Sequence, residues 1–311
     1  MVLRKVIKFG RSSFVISLPS SWVSRNKISK GDVIDVIEEP GSLIIEATET
    51  LQKTPRREII IKIKNEKEIK SRIVSAYVNN YDRIILSSPK MSDHATKIRY
   101  ISAGLMGLEV LEETENKIII EDYTNIKHIN INSTLKRMQR TLESMMADSL
   151  KFMDGKPTED MIFNKEADLN KLTFFLFKIL KKALRPRNMK LLQLKPQELI
   201  RTWEAVIFIE NVGDQVKRAT RFAEGKTQNK ELIPLMKETY DHFNQAMKAY
   251  FSNDGDLALE VTMNKRRIPD LGDKLFEKLK DPEYMAVIQK LNNINSNSRV
   301  LANCVLRFES D

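Results

Sequence analysis

A chain of 311 residues is longer than one ordinary core and suggests about two or three domains, and 41% hydrophobic with 30% charged residues excludes a disordered tail. The single cysteine, Cys304, excludes a disulfide framework and a thiolate zinc finger, and the longest uncharged stretch, residues 12–24, is too short to cross a bilayer. The formal charge of +10 favours a polyanionic partner; with no apolar run of signal-peptide length at the start, a cytoplasmic protein without membrane insertion is expected.

Residues 1–50 make the first segment. Arg4, Lys5, Lys8, Arg11, Arg25, Lys27 and Lys30 all fall here before any Asp or Glu. Gly10-Arg11-Ser12 reads as a turn, and Phe14, Ile16 and Leu18 alternate with Ser13, Val15 and Ser17 up to Pro19, the period of a strand with one face on a core. Ser20-Ser21 ahead of Trp22 and Val23 is placed to cap one helical turn. Lys30-Gly31-Asp32 makes a second turn, and 33–37 and 43–46 flank Glu39-Pro40-Gly41-Ser42 as a hairpin. The order is strand, strand, helical turn, strand, strand. So small a unit, without disulfide or metal, lacks a closed core of its own, and a homodimer through this head is expected.

Residues 51–130 change character. A strand at 59–63, a helix at 67–79 with Ile69, Ile73, Ala76 and Tyr77 on one face, and a strand at 83–86 come first. Ser92 is placed to cap a helix carrying Ala95, Ile98, Ile101, Ser102 and Leu105 inward, and 108–111 and 117–121 close a hairpin around Glu115-Asn116. The pattern β-α-β-α-β-β predicts a small α/β sandwich.

Residues 131–311 read as helical throughout. Six helices are expected near 133–153, 159–184, 196–224, 229–252, 255–278 and 283–308, separated by Asp154-Gly155-Lys156-Pro157, Arg185-Pro186-Arg187, Gly225, Asp254-Gly255 and Asp281-Pro282. They suggest two stacked three-helix units, the second a weak repeat of the first. The fold class is therefore multidomain α+β: a β-rich head, a small α/β sandwich and an all-α body.

Two stretches resemble known families. The run Arg4-Lys5-Val6-Ile7-Lys8-Phe9-Gly10-Arg11-Ser12-Ser13-Phe14-Val15-Ile16-Ser17-Leu18-Pro19, with Trp22-Val23 and Lys30-Gly31-Asp32 after it, resembles the AbrB/SpoVT swapped-hairpin DNA-binding domain. Leu169-Asn170-Lys171-Leu172-Thr173-Phe174-Phe175-Leu176 and Ile209-Glu210-Asn211-Val212-Gly213-Asp214 resemble the phosphate-uptake regulator PhoU. An AbrB-like head joined to a PhoU-like body is similar to archaeal PhoU-type regulators, and Gly107-Leu108-Glu109-Val110 and Glu112-Glu113-Thr114 suit that architecture. The resemblance implies DNA contact by Arg4, Lys5, Lys8 and Arg11, with Arg25 and Lys27 on the backbone. It also implies a divalent or ferric metal ion on the bundle surface. Of that motif, Glu210 and Asp214 match, Glu166 is kept with Asn170 where its acidic companion would stand, and Asn292 and Ser296 replace both acids of the second repeat.

The residues themselves leave other readings open. The basic cluster suits either DNA or a strand edge guarded against aggregation. Glu210 and Asp214 share one helix face, so a cation is expected between them, either a metal ion or Lys217, Arg218 and Arg221. Phe174, Phe175 and Phe177 mark either a partner surface or core packing between the three-helix units, and Trp22 and Trp203 read as core. No catalytic constellation is found: Met91, Asn125 and Thr239 stand where a Glu-x-x-His pair would need its acid before His94, His128 and His242, and no phosphate-binding glycine loop occurs. The expectation is a non-enzymatic, homodimeric DNA-binding regulator of phosphate uptake. The alternative is an adaptor that controls a phosphate-transport ATPase by contact, its head serving only to dimerise.

Overall fold

A computed structural model describes residues 3–39, 41–47, 56–223 and 231–308. Pro40 and Gly225, expected in a turn and at a helix break, lie outside them. The chain divides into two compact units, Met1–Arg56 and Arg57–Asp311.

The first unit holds two antiparallel hairpins and one helical turn. Strands β1 (Ile7–Phe9) and β2 (Ser13–Val15) pair Ile7 with Val15, Lys8 with Phe14 and Phe9 with Ser13; β3 (Ile34–Glu39) pairs with β4 (Ser42–Ala47). Gly10 and Gly41 take φ of 68° and 79° in the two turns, where a side chain would be strained. Helix α1 (Ser20–Arg25) begins on Pro19 with no side-chain cap, so Ser20 and Ser21 do not cap it. The expected alternation along residues 13–18 has no core to face: β2 ends at Val15, and Phe14 is 71% and Ile16 42% exposed. Ile37 is the buried hydrophobic residue of the unit among those described. One copy has too few residues to close over its own apolar side chains.

In the second unit, strands β5 (Glu58–Lys62), β6 (Arg83–Ser87), β7 (Leu108–Glu113) and β8 (Lys117–Asp122) form one sheet ordered β5-β6-β8-β7. β5 and β6 run parallel and the other pairings are antiparallel, with a bulge between Val110 and Glu112. Helices α2 (Ile69–Val78) and α3 (Ala95–Ala103) give Ile69, Ile73, Tyr77, Ile98 and Ile101 to a core shared with Ile61, Ile84, Leu86, Ile118 and Ile120. Two starts differ from expectation. The first helix opens on a capping box, Asn65 with Glu68, and Met91–His94 make a 3₁₀ turn, so α3 starts behind His94 without a cap from Ser92.

The body consists of α4 (Ile131–Met153), α5 (Glu159–Ala183), α6 (Pro186–Leu191), α7 (Pro196–Phe222), α8 (Leu232–Ser252), α9 (Gly255–Met263), α10 (Arg267–Leu279) and α11 (Pro282–Arg307). Arg185-Pro186-Arg187, expected as a break, starts the short α6, because proline suits a first helical position. The helix expected over 255–278 is two helices. Pro269, in the first turn of α10, has no N–H for the carbonyl of Lys265, and the Asn295 side-chain amide donates to that carbonyl at 3.3 Å instead. Helices α4, α5 and α7 pack on one another, as α8, α9 and α11 do, and α7 against α11 and α4 against α8 join both sets. The result is one continuous core from Ile131 to Val305 rather than two separate ones.

The α/β module is locked to this body through α5. Lys178, wholly buried, forms an ion pair with the buried carboxylate of Asp122, donates to Thr124 Oγ1 at 3.0 Å and lies 4.3 Å from the centre of the Tyr77 ring. Lys171 Nζ donates to the Ala103 carbonyl at 2.7 Å and Lys181 Nζ to Asn79 Oδ1 at 2.8 Å. The aromatic run divides between cores. Phe174 packs on the α/β core, Phe175 is buried among the helices, and Phe177 lies against Trp203 with ring centres 4.8 Å apart. Trp22 and Trp203 are only half-buried.

Candidate nucleic-acid interface and acidic helix cluster

In the first unit every one of Arg4, Lys5, Lys8, Arg11, Arg25 and Lys27 is exposed. None makes a salt bridge with a described residue. Lys8 lies on β1 opposite Phe14, and Arg11 stands in the tight turn between the strands. Arg25 occupies the last turn of α1, where a cation suits the helix dipole. Lys27 follows in a left-handed conformation, φ 54°, with its N–H on the Ser24 carbonyl at 3.2 Å and that of Ile28 on the Val23 carbonyl at 3.1 Å. Such a conformation costs a non-glycine residue about 1–2 kcal/mol, and the composition of the segment gave no sign of it. Two pairs of neighbours in sequence, Lys8 with Arg11 and Arg25 with Lys27, thus stand at a hairpin tip and at a helix end. The same segment leaves Leu3, Val6, Ile7, Phe9, Val33, Val36 and Leu43 mostly exposed. Basic side chains free of acids can meet phosphates, while so much bare apolar surface calls for a second copy.

The acidic residues come together where α5 crosses α7. Gly213 favours this crossing: a Cβ there would fall 2.3 Å from Leu169 Cδ2, so any larger residue would have to displace that buried side chain. Glu166 Oε1 accepts from Lys217 Nζ at 2.6 Å and from the Asn170 side-chain amide at 2.8 Å. Asp214 meets Lys217 at 3.3 Å and Arg218 at 2.7 Å. Glu210 is half-buried, and its carboxyl is pushed above the usual range by burial first, then by Asp214 and Glu166, against the pull of Lys217 and Arg218. Arg221, expected as a further counterion, lies over the Phe163 ring at 5.5 Å.

This arrangement does not fit the metal ion that the sequence resemblance implies. The Glu166 oxygen nearest the cluster already accepts two hydrogen bonds, and an ammonium takes the place between Glu166 and Asp214. Among the described residues no group of three or more His, Cys, Asp or Glu side chains is arranged to hold a metal. The cation expected between Glu210 and Asp214 is Lys217, which reaches across two helices to pair with Asp214 and with Glu166 rather than with Glu210.

A second polar cluster was not anticipated. His242 on α8 is 7% exposed, its Nε2 has no hydrogen-bond partner, and burial, with Arg299 and Arg267 nearby, pushes its pKa down to about 4. No described helix is long and apolar enough to cross a membrane.

No family model matches the chain, and no curated protein matches it. Among solved structures, PhoU from Pseudomonas aeruginosa is similar, with a TM-score of 0.47 and 15% sequence identity over 57% of this chain and 94% of that one.

Proposed function

We propose that this protein is a non-enzymatic, homo-oligomeric DNA-binding regulator of phosphate uptake. Its head grips DNA, and its helical body receives the phosphate signal directly or from a partner such as a phosphate-transport ATPase. The observation that carries the reading is the head: six exposed basic side chains without acidic partners among the described residues, in a unit whose apolar residues stay bare in one copy. The AbrB-like and PhoU-like motifs of the sequence support the two halves of the reading.

The test is binding of duplexes selected from a random pool, followed by anisotropy as salt is raised. A regulator keeps a preferred sequence at physiological salt, with a specificity ratio of about 10³ or more. Arg11→Ala or Lys8→Ala then lowers the salt slope by about one unit for each phosphate that is no longer neutralised, or costs about 1–3 kcal/mol on the preferred site alone if a base is read. Binding that shows no preference and vanishes at physiological salt overturns the reading in favour of an adaptor whose head only dimerises.

A further inference from the structure

Helices α4 and α8 pack antiparallel. Their register is fixed by the Ser149 and Tyr240 hydroxyls, 2.7 Å apart, and by Lys136 Nζ, 5.7 Å from the centre of the Phe251 ring. Arg140 comes one turn along α4 from Lys136, and Lys248 one turn back along α8 from Ser252. By that register Arg140 and Lys248 stand at one level on facing helices. Lys136, Arg140 and Lys248 are all exposed, and neither the Arg140 nor the Lys248 side chain makes a hydrogen bond or salt bridge with a described residue. The three cations line an open groove of about 930 Å³, a volume in the range of small-molecule sites. The acid on its wall is Glu143, whose Oε1 accepts from Gln139 Nε2 at 2.7 Å. The half-buried ring of Phe251 and the side chains of Asn130 and Asn132 form its other end. Asn130 Oδ1 caps α4 by accepting from Ser133 N at 2.8 Å, which leaves its amide to donate.

We propose that this groove binds a nucleotide carrying two or more phosphoryl groups. Arg140 and Lys248 repel each other across the seam, and an anion between them turns that repulsion into two attractions. The phosphoryl groups lie there, and the flexible stem of Lys136 lets its ammonium turn from the Phe251 ring to join them. The base then lies against that ring, a contact open to any base because each has a π face, while the amides of Asn130 and Asn132 can meet its polar edge. A single phosphate would fill a small share of the groove and leave the ring and both amides unused. The site belongs to the helical body, whereas the DNA contacts proposed above belong to the first unit, so neither reading depends on the other.

The test is equilibrium dialysis of the full chain against ATP and against inorganic tripolyphosphate at physiological salt. ATP should bind about tenfold more tightly than tripolyphosphate, because only ATP brings a base to the ring. Arg140→Gln and Lys248→Gln, changes at exposed positions that should leave the melting temperature unmoved, should each weaken both ligands about tenfold. Phe251→Leu keeps an apolar side chain in place and should weaken ATP about tenfold while leaving tripolyphosphate unchanged. Lys8→Ala/Arg11→Ala in the head should bind ATP as the wild type does. ATP binding that is absent, or that falls in the head variant and not in the groove variants, would overturn the proposal. Equal affinity for ATP and tripolyphosphate, indifferent to Phe251→Leu, would overturn it as well, because the groove would then be a patch for any polyanion.

Discussion

Replacing Lys178 by methionine tests what joins the α/β module to the helices. The substitution preserves most of the packing volume and removes one charge from a pair that is 0% and 3% exposed. Asp122 keeps hydrogen bonds from Thr124 Oγ1 at 2.6 Å and Thr124 N at 3.0 Å, but its carboxylate loses the countercharge. Breaking a buried pair from one side costs about 3–5 kcal/mol, and at about 2–4 °C per kcal/mol for a unit of this size the melting temperature should fall by roughly 6–20 °C. The double variant Lys178→Met/Asp122→Asn should recover most of that loss, because no charge is left stranded. Denaturant unfolding of the wild type, both singles and the double forms a complete cycle. A single variant within about 1 kcal/mol of wild type at neutral pH would refute the argument.

Three further outcomes follow from the geometry. Gly213→Ala gains about 1 kcal/mol of helix propensity but drives a methyl into buried Leu169, an overpacking that costs about 1–3 kcal/mol; chemical denaturation should show net destabilisation, and a stabilised variant would mean that α5 and α7 separate freely. His242 has its folded pKa lowered to about 4, so its share of stability is complete above the unfolded value near 6.5 and is lost as pH falls from there towards 4; the acid-side drop in melting temperature should be shallower in His242→Gln, and identical profiles would exclude this histidine as its cause. Lys217→Met strips Glu166 and Asp214 of their shared ammonium, so the variant should be less stable and newly stabilised by millimolar divalent metal, which leaves the wild type unmoved; a metal response in the wild type would show that the ammonium gives way to the ion.

Much of the architecture was legible in the amino-acid sequence because each element carried its own period. The β-α-β-α-β-β module is an example, since Ile61, Ile84, Leu86, Ile118 and Ile120 mark strands whatever surrounds them. What escaped reading depended on partners distant in sequence. A lysine in a helix is ordinarily placed in solvent, and nothing local to Lys178 announces Asp122. Pro269 was available as a sign of the break before α10, yet the break is sustained by Asn295, which only the fold brings to Lys265. At the acidic cluster, spacing along α7 paired Glu210 with Asp214 and the resemblance added Glu166, whereas the choice of counterion depended on the crossing of α5 and α7 at Gly213.

The packing of α7 against α11 has a consequence for biosynthesis. α11 is made last among these helices, after α8, α9 and α10, so α7 lacks part of its final cover while they emerge. At about 5–20 residues per second that interval lasts on the order of ten seconds. A nascent chain in this state offers a long apolar helix face to anything nearby, and a chaperone that shields it, or a ribosome that slows before α11, would set the yield of folded protein more than any single ion pair in the finished fold.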